Sequence, residues 1–155
     1  MSSGKTGEWS LRLARPADDA LIAELAAGRD AASAARLIRK GHCLTAHVAE
    51  APAGFLVNEP FSRELHIWQL FVAPGYQRRG IGSGLIRACL IDARNAGFRA
   101  VTLTTDREST AFFARLGFEE VTALDAHPRL AGELANEVDD GLPADRRCAM
   151  ICFLD

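Results

Sequence analysis

Residues 70–84 read LFVAPGYQRRGIGSG, and this stretch decides how the rest of the chain is interpreted. Its first residues are apolar and either aromatic or β-branched, which favours a strand, and Pro74-Gly75 forces a turn. From Ile81 onward apolar residues recur at helical spacing until Asn95-Ala96-Gly97, a sequence typical of a helix C-terminus. The stretch therefore predicts a strand that passes through a tight turn into the N-terminus of a helix.

The turn carries features of an anion-binding site. Gly80 and Gly82 let a backbone approach a ligand closely and tolerate positive φ angles. Successive N–H groups at a helix N-terminus, together with the positive end of the helix dipole, attract phosphate, and Arg78 and Arg79 add positive charge beside them. The spacing matches neither the dinucleotide GxGxxG motif nor the GxxxxGK[ST] loop. A phosphorylated ligand is the hypothesis, and a plain strand-to-helix connection is the alternative.

Working outward from this stretch, hydrophobic periodicity predicts a mixed α/β domain with a mostly antiparallel half and at least one βαβ unit. Strands are predicted at residues 11–14, 43–50 (broken by Pro52), 54–58 (ended by Pro60), 65–72, 100–105, 118–124 and 147–154. Helices are predicted at residues 20–27, 31–40, 81–95, 109–116 and 127–140. Residues 1–8 are interpreted as a flexible N-terminal tail, and residues 9–155 as a single domain.

Composition excludes several classes of protein. The chain has 155 residues with 18 Lys+Arg against 20 Asp+Glu, so it lacks the basic excess of a nucleic-acid or anionic-membrane binder. No apolar run approaches the ~20 residues of a membrane helix, and the N-terminus lacks the apolar core of a signal peptide, which favours a cytoplasmic protein. The cysteines show no zinc-ligand spacing, so we expect no metal and four reduced, mostly buried thiols.

Two motifs resemble the GNAT superfamily of acyl-CoA N-acyltransferases. Residues 77–82, QRRGIG, match its Q/R-x-x-G-x-G/A motif, and residues 70–74, LFVAP, resemble its fourth strand and exit turn. Residues 111–118, AFFARLGF, resemble its second conserved stretch. The resemblance extends in element order from about Leu11 to Leu154. It implies a mixed, mostly antiparallel central sheet splayed around an acyl-CoA cleft and flanked by helices.

The resemblance also implies where acetyl-CoA binds. The diphosphate would lie on main-chain amides of the QRRGIG loop, and pantetheine would pair along the preceding strand, where a backbone N–H polarises the acetyl carbonyl. Asp106 stands where many members carry an asparagine that contacts pantetheine, although it could equally be a helix N-cap. Phe113 stands where a tyrosine often protonates the leaving thiolate, which phenylalanine cannot do. It is most simply a core residue, and at most it lines the CoA channel. The predicted cofactor-binding residues are Leu70, Phe71, Val72, Gln77, Arg78, Arg79, Gly80, Ile81, Gly82, Ser83, Asp106 and Phe113.

Acetyl transfer to an amine requires a neutral amine, and an alkylamine with a pKa of ~10.4 is mostly protonated at neutral pH, so a base helps. His66 is the first candidate, because histone-acetylating members carry a glutamate base at the corresponding place and because a histidine pKa of ~6.5 suits the role. A histidine that only fills one face of the sheet is the alternative. Glu64, one strand period away on the same face, is the second candidate for the base. The alternative for Glu64 is a solvated charge at the end of the strand.

The resemblance implies an acetyl-CoA-dependent N-acetyltransferase that acts by direct attack in a ternary complex. Because the chain has no basic excess, we expect a small-molecule amine or an amino-acid derivative as acceptor rather than a nucleic-acid-linked one. The absence of a proton donor at Phe113 leaves a non-catalytic acetyl-CoA sensor or interaction module as the alternative. Residues 147–154 are a possible homodimer contact.

Overall fold

Seven strands and three helices form in the part of the chain that the structure, a computed structural model, describes: residues 9–14 and 42–154. The predicted N-terminal tail and the predicted helices at residues 20–27 and 31–40 lie outside these residues. The strands are β1 (Trp9–Leu13), β2 (Cys43–Val48), β3 (Ala51–Phe61), β4 (Glu64–Val72), β5 (Ala100–Asp106), β6 (Glu119–Glu120) and β7 (Arg147–Phe153). The helices are α1 (Ile81–Asn95), α2 (Thr110–Ala114) and α3 (Pro128–Asp139).

The segment quoted first folds as predicted. β4 is followed by a single 3₁₀ turn at Pro74–Tyr76 and then by α1. The helix buries one apolar face, on which Ile81, Leu85 and Ile86 are almost inaccessible to solvent. It ends before Gly97, whose φ of +88° only glycine adopts without strain.

The described residues form two compact units. The first comprises those up to Glu59 together with Ile67–Asp92, and the second comprises Pro60–His66 and the residues from Ala93 onward. Strand order is β1-β2-β3-β4 in the first unit and β4-β5-β7-β6 in the second, since β4 contributes residues to both. The pairs β1–β2, β2–β3, β5–β7 and β6–β7 are antiparallel. This confirms the predicted α/β class with a mostly antiparallel sheet; a single domain over residues 9–155 stays a prediction.

Two prolines do not interrupt β3, contrary to the sequence prediction. β3 extends from Ala51 to Phe61 and contains both Pro52 and Pro60. Pro52 pairs with His47 just beyond a register shift in β2, and Pro60 is the penultimate residue of β3. Proline lacks the N–H that a ladder needs, but strand ends and bulges tolerate this loss.

The strand predicted at residues 118–124 was wrong in length. Only Glu119–Glu120 pair as a strand, opposite Ile151 and Met150. Val121 still donates its N–H to Ala149, after which the chain enters a 3₁₀ turn at Leu124–Ala126 that leads into α3. β6 is the last strand of its sheet, and edge strands are commonly short.

Each unit has its own apolar core. In the first, Ala14, Cys43, Phe55 and Val57 pack together, with Trp68 and Phe71 against them. In the second, helix α3 packs through Leu130 onto Ala100, Val121, Ala149 and Ile151. The four cysteines are free and buried, as predicted. Within the described residues, no helix is long and apolar enough to span a membrane.

Gly54 permits an unusually close approach of β3 and β4. A Cβ atom at this position would lie 2.5 Å from the carbonyl oxygen of Phe71 and 3.2 Å from the Cα of Val72. The neighbouring bond from the Ala73 N–H to the Ala53 carbonyl, at 2.8 Å, holds the two backbones at this spacing. A side chain at position 54 would therefore press on the main chain of β4, which would have to shift to admit it.

We expect Gly54→Ala to destabilise the protein by about 1–3 kcal/mol or more, the cost of overpacking a filled site. Gly75→Ala is the matched control, because nothing lies within 4 Å of a Cβ at that position. The control should change stability by less than about 1 kcal/mol in urea unfolding curves. Equal stabilities of the two variants would show that the close approach at Gly54 is not a constraint.

Candidate functional site

The loop between β4 and α1 presents main-chain donors. Gly80 adopts a φ of +83° and its carbonyl accepts the N–H of Gly84 at 2.9 Å, so Gly80 is the N-cap of α1. The first N–H groups of a helix have no intrahelical acceptor, which leaves the donors of the Ile81 turn for a ligand. With the dipole of a 15-residue helix behind them, these donors have the arrangement that an anion site requires, and anion binding at this loop stays a prediction.

The residues before Gly80 shape the loop. The Gln77 side-chain amide donates to the Val72 carbonyl at 3.1 Å and ties the loop back to the end of β4. Arg78 has a φ of +68°, a left-handed conformation that costs a non-glycine residue about 1 kcal/mol. The Arg79 guanidinium lies 5.4 Å from the centre of the Tyr76 ring. Both arginines are exposed, so their charge is available to an anion in solution.

The end of β4 carries the predicted pantetheine-pairing residues. Leu70, Phe71 and Val72 are half-buried, and the Phe71 ring stacks on Phe55 with centroids 5.4 Å apart. The Phe71 carbonyl is turned toward Gly54 on β3. In a trans peptide the C=O and the following N–H point in opposite directions, so the Val72 N–H points away from β3. A backbone donor of this kind is what the predicted polarisation of an acetyl carbonyl requires.

In the second unit, His66 belongs to a polar cluster that the sequence did not indicate. Its Nδ1 lies 2.8 Å from the hydroxyl oxygen of Thr102 on β5. The same oxygen accepts a hydrogen bond from Arg129 Nη2 at 2.9 Å. The Arg129 guanidinium also lies 4.5 Å from the centre of the Phe61 ring and 3.7 Å from the Glu64 carboxylate. The imidazole is thus linked to a permanent positive charge through one hydroxyl group.

This surrounding changes the acid–base chemistry of His66. The side chain is 1% exposed, and burial, with a smaller contribution from the charge of Arg129, lowers its pKa from 6.5 to about 3. Both effects penalise the imidazolium form. The expectation that His66 titrates near its ordinary pKa was therefore wrong, because the residue pattern along its strand revealed neither its burial nor the nearby charge of Arg129. At neutral pH the ring is uncharged.

Unlike His66, Glu64 lines an open pocket. Its carboxylate pairs with Arg99 at 2.9 Å and lies 3.7 Å from Arg129, and its side chain is 17% exposed. The pocket has a volume of about 840 Å³ and is lined by Phe61, Ser62, Arg63, Glu64, Arg99 and Arg129. Three guanidinium groups face one carboxylate, so the pocket has an excess of positive charge.

Asp106 and Phe113 have clear structural contacts. The Asp106 carboxylate accepts the Ser109 N–H at 2.9 Å and caps the turn that leads into α2, which is the N-cap role foreseen as the alternative. Phe113 is buried between Phe112 and Phe118, with centroid distances of 5.0 and 5.8 Å. Cofactor contact by either residue stays a prediction.

Sequence reasoning missed Thr102, Arg99 and Arg129 as members of a site. Arg129 lies at the start of α3, which was interpreted only as a polar-faced helix, and it meets Glu64 and Thr102 solely through the fold. The one available signal was a threonine-rich β5 strand, AVTLTTD, whose Thr102 is completely buried. Within residues 9–14 and 42–154, no cluster of His, Cys, Asp or Glu side chains has the arrangement of a metal site.

Comparisons with known proteins found one family model and several solved structures that match this chain. The Acetyltransferase (GNAT) family model matches residues 13–118. Ard1 from Thermoplasma volcanium superposes with a TM-score of 0.74 at 20% identity, over 96% of this chain and 99% of its own. Rv2747 from Mycobacterium tuberculosis, in complex with CoA and NLQ, gives 0.75 at 22% identity, over 94% of this chain and 99% of its own.

N-acetylglutamate synthase from Neisseria gonorrhoeae, complexed with coenzyme A and N-acetyl-glutamate, gives a TM-score of 0.76 at 19% identity. The match covers 95% of this chain and 35% of the synthase. At these identities the structural matches establish the shared fold.

The lowered pKa of His66 makes a prediction about stability. Between about pH 3 and pH 6.5 the unfolded chain binds a proton at this histidine that the folded chain does not. The free energy of unfolding therefore rises with pH through this window, and the contribution of His66 is fully present above pH 6.5. From pH 6.5 to pH 5 the loss from His66 alone is about 2 kcal/mol. Urea unfolding of the wild type at these pH values should show this loss.

His66→Gln removes the titrating group and should flatten this pH dependence, whatever its effect on stability at pH 7. His127→Gln, which removes a histidine from the start of α3, should retain the wild-type dependence. A His66→Gln variant that loses as much stability as the wild type between pH 6.5 and pH 5 would contradict the assignment.

Proposed function

The chain belongs to the GNAT acetyltransferase family, an acyltransferase family that uses acetyl-CoA, and from this premise we propose that it acetylates an amine of a small molecule or amino-acid derivative. The single observation that carries the proposal is the loop at residues 77–83, where the cap at Gly80 leaves the amides of the first α1 turn without intrahelical acceptors and able to bind an anion. The diphosphate of acetyl-CoA suits such a site. The structural relatives Rv2747 and N-acetylglutamate synthase hold CoA, which supports the same co-substrate.

The proposed cofactor contacts divide by chemistry. The amides of Arg79, Gly80, Ile81, Gly82 and Ser83 hold the diphosphate, and Arg78 adds charge. The backbone of Leu70, Phe71 and Val72 pairs with pantetheine, and the Val72 N–H, which points away from β3, donates to the acetyl oxygen as negative charge develops there. Direct attack by the amine then breaks the thioester bond and releases the CoA thiolate, whose thiol has a pKa of only ~8.5.

We propose Glu64 rather than His66 as the group that receives the amine proton. The pocket wall includes the Glu64 carboxylate, whereas His66 is 1% exposed and has a pKa of about 3, too low for an efficient base at neutral pH. His66 and Thr102 then serve to hold Arg129, which in turn lies beside Glu64.

The charge of the pocket supports an acceptor that carries a carboxylate. Arg63, Arg99 and Arg129 outnumber the one acidic group, and guanidinium binds carboxylate by paired, charge-assisted hydrogen bonds. The N-acetyl-glutamate in the gonococcal synthase is a ligand of this class. An amino acid or a similar small acid bearing a primary amine fits this proposal.

The loop assignment predicts the effect of Gly82→Val. A branched side chain at the second residue of α1 blocks the approach of a diphosphate to the amides, so acetyl-CoA affinity should fall at least about tenfold in calorimetry. Gly132→Val in α3 makes the same replacement in a helix, where nothing lies within 4 Å of a Cβ. It should lose a similar amount of stability with unchanged affinity. Unchanged affinity in Gly82→Val would remove the diphosphate from this loop.

The acceptor proposal predicts a preference for amino acids over their carboxamides. With saturating acetyl-CoA and mass spectrometry of the products, we expect kcat/KM to be about tenfold higher for the acid, and Arg99→Gln to abolish the preference. Arg87→Gln, an equal change of charge at an exposed position of α1, should preserve it. Acids and carboxamides of equal reactivity would exclude a carboxylate subsite.

In the same assay Glu64→Gln should lower kcat by about 100-fold, and Glu108→Gln, which removes an exposed ion pair with Arg146, should not. Phe113 has no side-chain proton to donate to the leaving thiolate, and this supports a non-catalytic acetyl-CoA sensor as the second candidate function. Acetyl-CoA binding without any acetylated product across the amine panel would establish that alternative.

A further inference from the structure

Trp9 on β1 packs onto the junction between the loop and α1. Its indole Nε1 donates a hydrogen bond to the Arg79 carbonyl at 3.0 Å. The ring lies against the first turn of the helix at Gly84, where a Cβ would overlap the indole Cη2 and lie 2.9 Å from Cζ3. Only glycine at position 84 leaves room for the indole in this place. The contact joins residues far apart in sequence at the loop proposed to bind diphosphate.

The hydrogen bond determines the direction of a loop amide. The Arg79–Gly80 peptide is trans, so its N–H points opposite to the carbonyl that Trp9 holds. The next peptide is held separately, because the Gly80 carbonyl accepts the Gly84 N–H at 2.9 Å. Two consecutive peptide planes are thus each fixed by one bond, and the first of these bonds comes from outside the loop and the helix.

Without the indole, the Arg79–Gly80 peptide has little to hold its orientation. Glycine populates positive and negative φ almost equally, so Gly80 offers little resistance to a peptide flip. A flipped peptide would present the Arg79 carbonyl oxygen, an acceptor, where the bound anion requires a donor. The bond from Trp9 excludes that arrangement before the ligand arrives.

We propose that Trp9 is a positioning residue for the diphosphate of acetyl-CoA, acting through the Arg79 carbonyl on the Gly80 N–H. The proposal rests on the proposed function of the same loop. It assigns Gly84 a second role, as the space that admits the indole. It also gives β1 a role in the proposed cofactor site, through its contact with the Arg79 carbonyl.

The test measures CoA affinity by calorimetry for Trp9→Phe, Gly84→Ala and the double variant. Trp9→Phe removes the N–H donor, and Gly84→Ala displaces the ring while keeping the donor. Each should weaken CoA binding about fivefold, the typical effect of one lost hydrogen bond. Because both act on one contact, the double variant should lose little more than either single variant. Gly132→Ala, at a helical glycine with open space around a Cβ, should bind CoA like the wild type.

A second measurement separates positioning from general damage. In steady-state kinetics Trp9→Phe should raise KM for acetyl-CoA with little change in kcat, and should leave the use of S-acetyl-pantetheine, which lacks the diphosphate, unchanged. Two results would overturn the inference. One is an equal loss of activity in Trp9→Phe with acetyl-CoA and with S-acetyl-pantetheine, and the other is a CoA affinity of Trp9→Phe within twofold of the wild type. If the wild-type chain binds no CoA, both the proposed function and the role of Trp9 fail. If the wild type binds CoA and Trp9→Phe binds it equally well, only the role of Trp9 fails.

Discussion

The candidate cofactor site depends on one constraint: residues 73–80 lead from the end of β4 into α1, and the amides in the first turn of α1 have no intrahelical acceptor. Gly80 makes this possible, because its φ of +83° reverses the chain while its carbonyl accepts the first helical hydrogen bond. Gln77 holds the loop to the last carbonyl of β4, and Arg78 adopts a strained left-handed conformation within it. Together they maintain an arrangement of donors that would otherwise have to be organised when the ligand binds.

Two glycines outside the motif serve the same site by admitting other groups. Gly54 lets the Phe71 carbonyl approach β3, which turns the Val72 N–H outward, and Gly84 lets the Trp9 indole reach the Arg79 carbonyl. In both cases the absence of a side chain leaves room for a contact, and that contact orients a peptide unit at another position. Backbone donors that are oriented in advance lose little entropy on binding and strengthen where negative charge develops in acyl transfer.

The polar cluster of the second unit illustrates how burial alters chemistry that a residue type suggests. A histidine on a strand near a cofactor motif looks like a base, but at 1% exposure, with Arg129 linked to it through Thr102, it stays neutral. Glu64, two residues earlier on the same strand, remains in contact with an open pocket and with Arg99. Position along a strand thus separates a buried hydrogen-bonding partner, His66, from a carboxylate that lines an open pocket, Glu64.

The sequence by itself determined the α/β class, the strand–turn–helix at residues 64–95, most other strands and the buried cysteines, because hydrophobic period, glycine and helix-capping signals act over a few residues. It misjudged Pro52 and Pro60, since tolerance of a missing N–H depends on which ladder positions a partner strand uses. Only the tertiary structure decided that Arg129 joins Glu64, Thr102 and His66, that the pKa of His66 is low, and that Trp9 reaches Arg79. These contacts join residues far apart along the chain, and local sequence patterns carry no information about which distant side chain will supply a charge or a hydrogen bond.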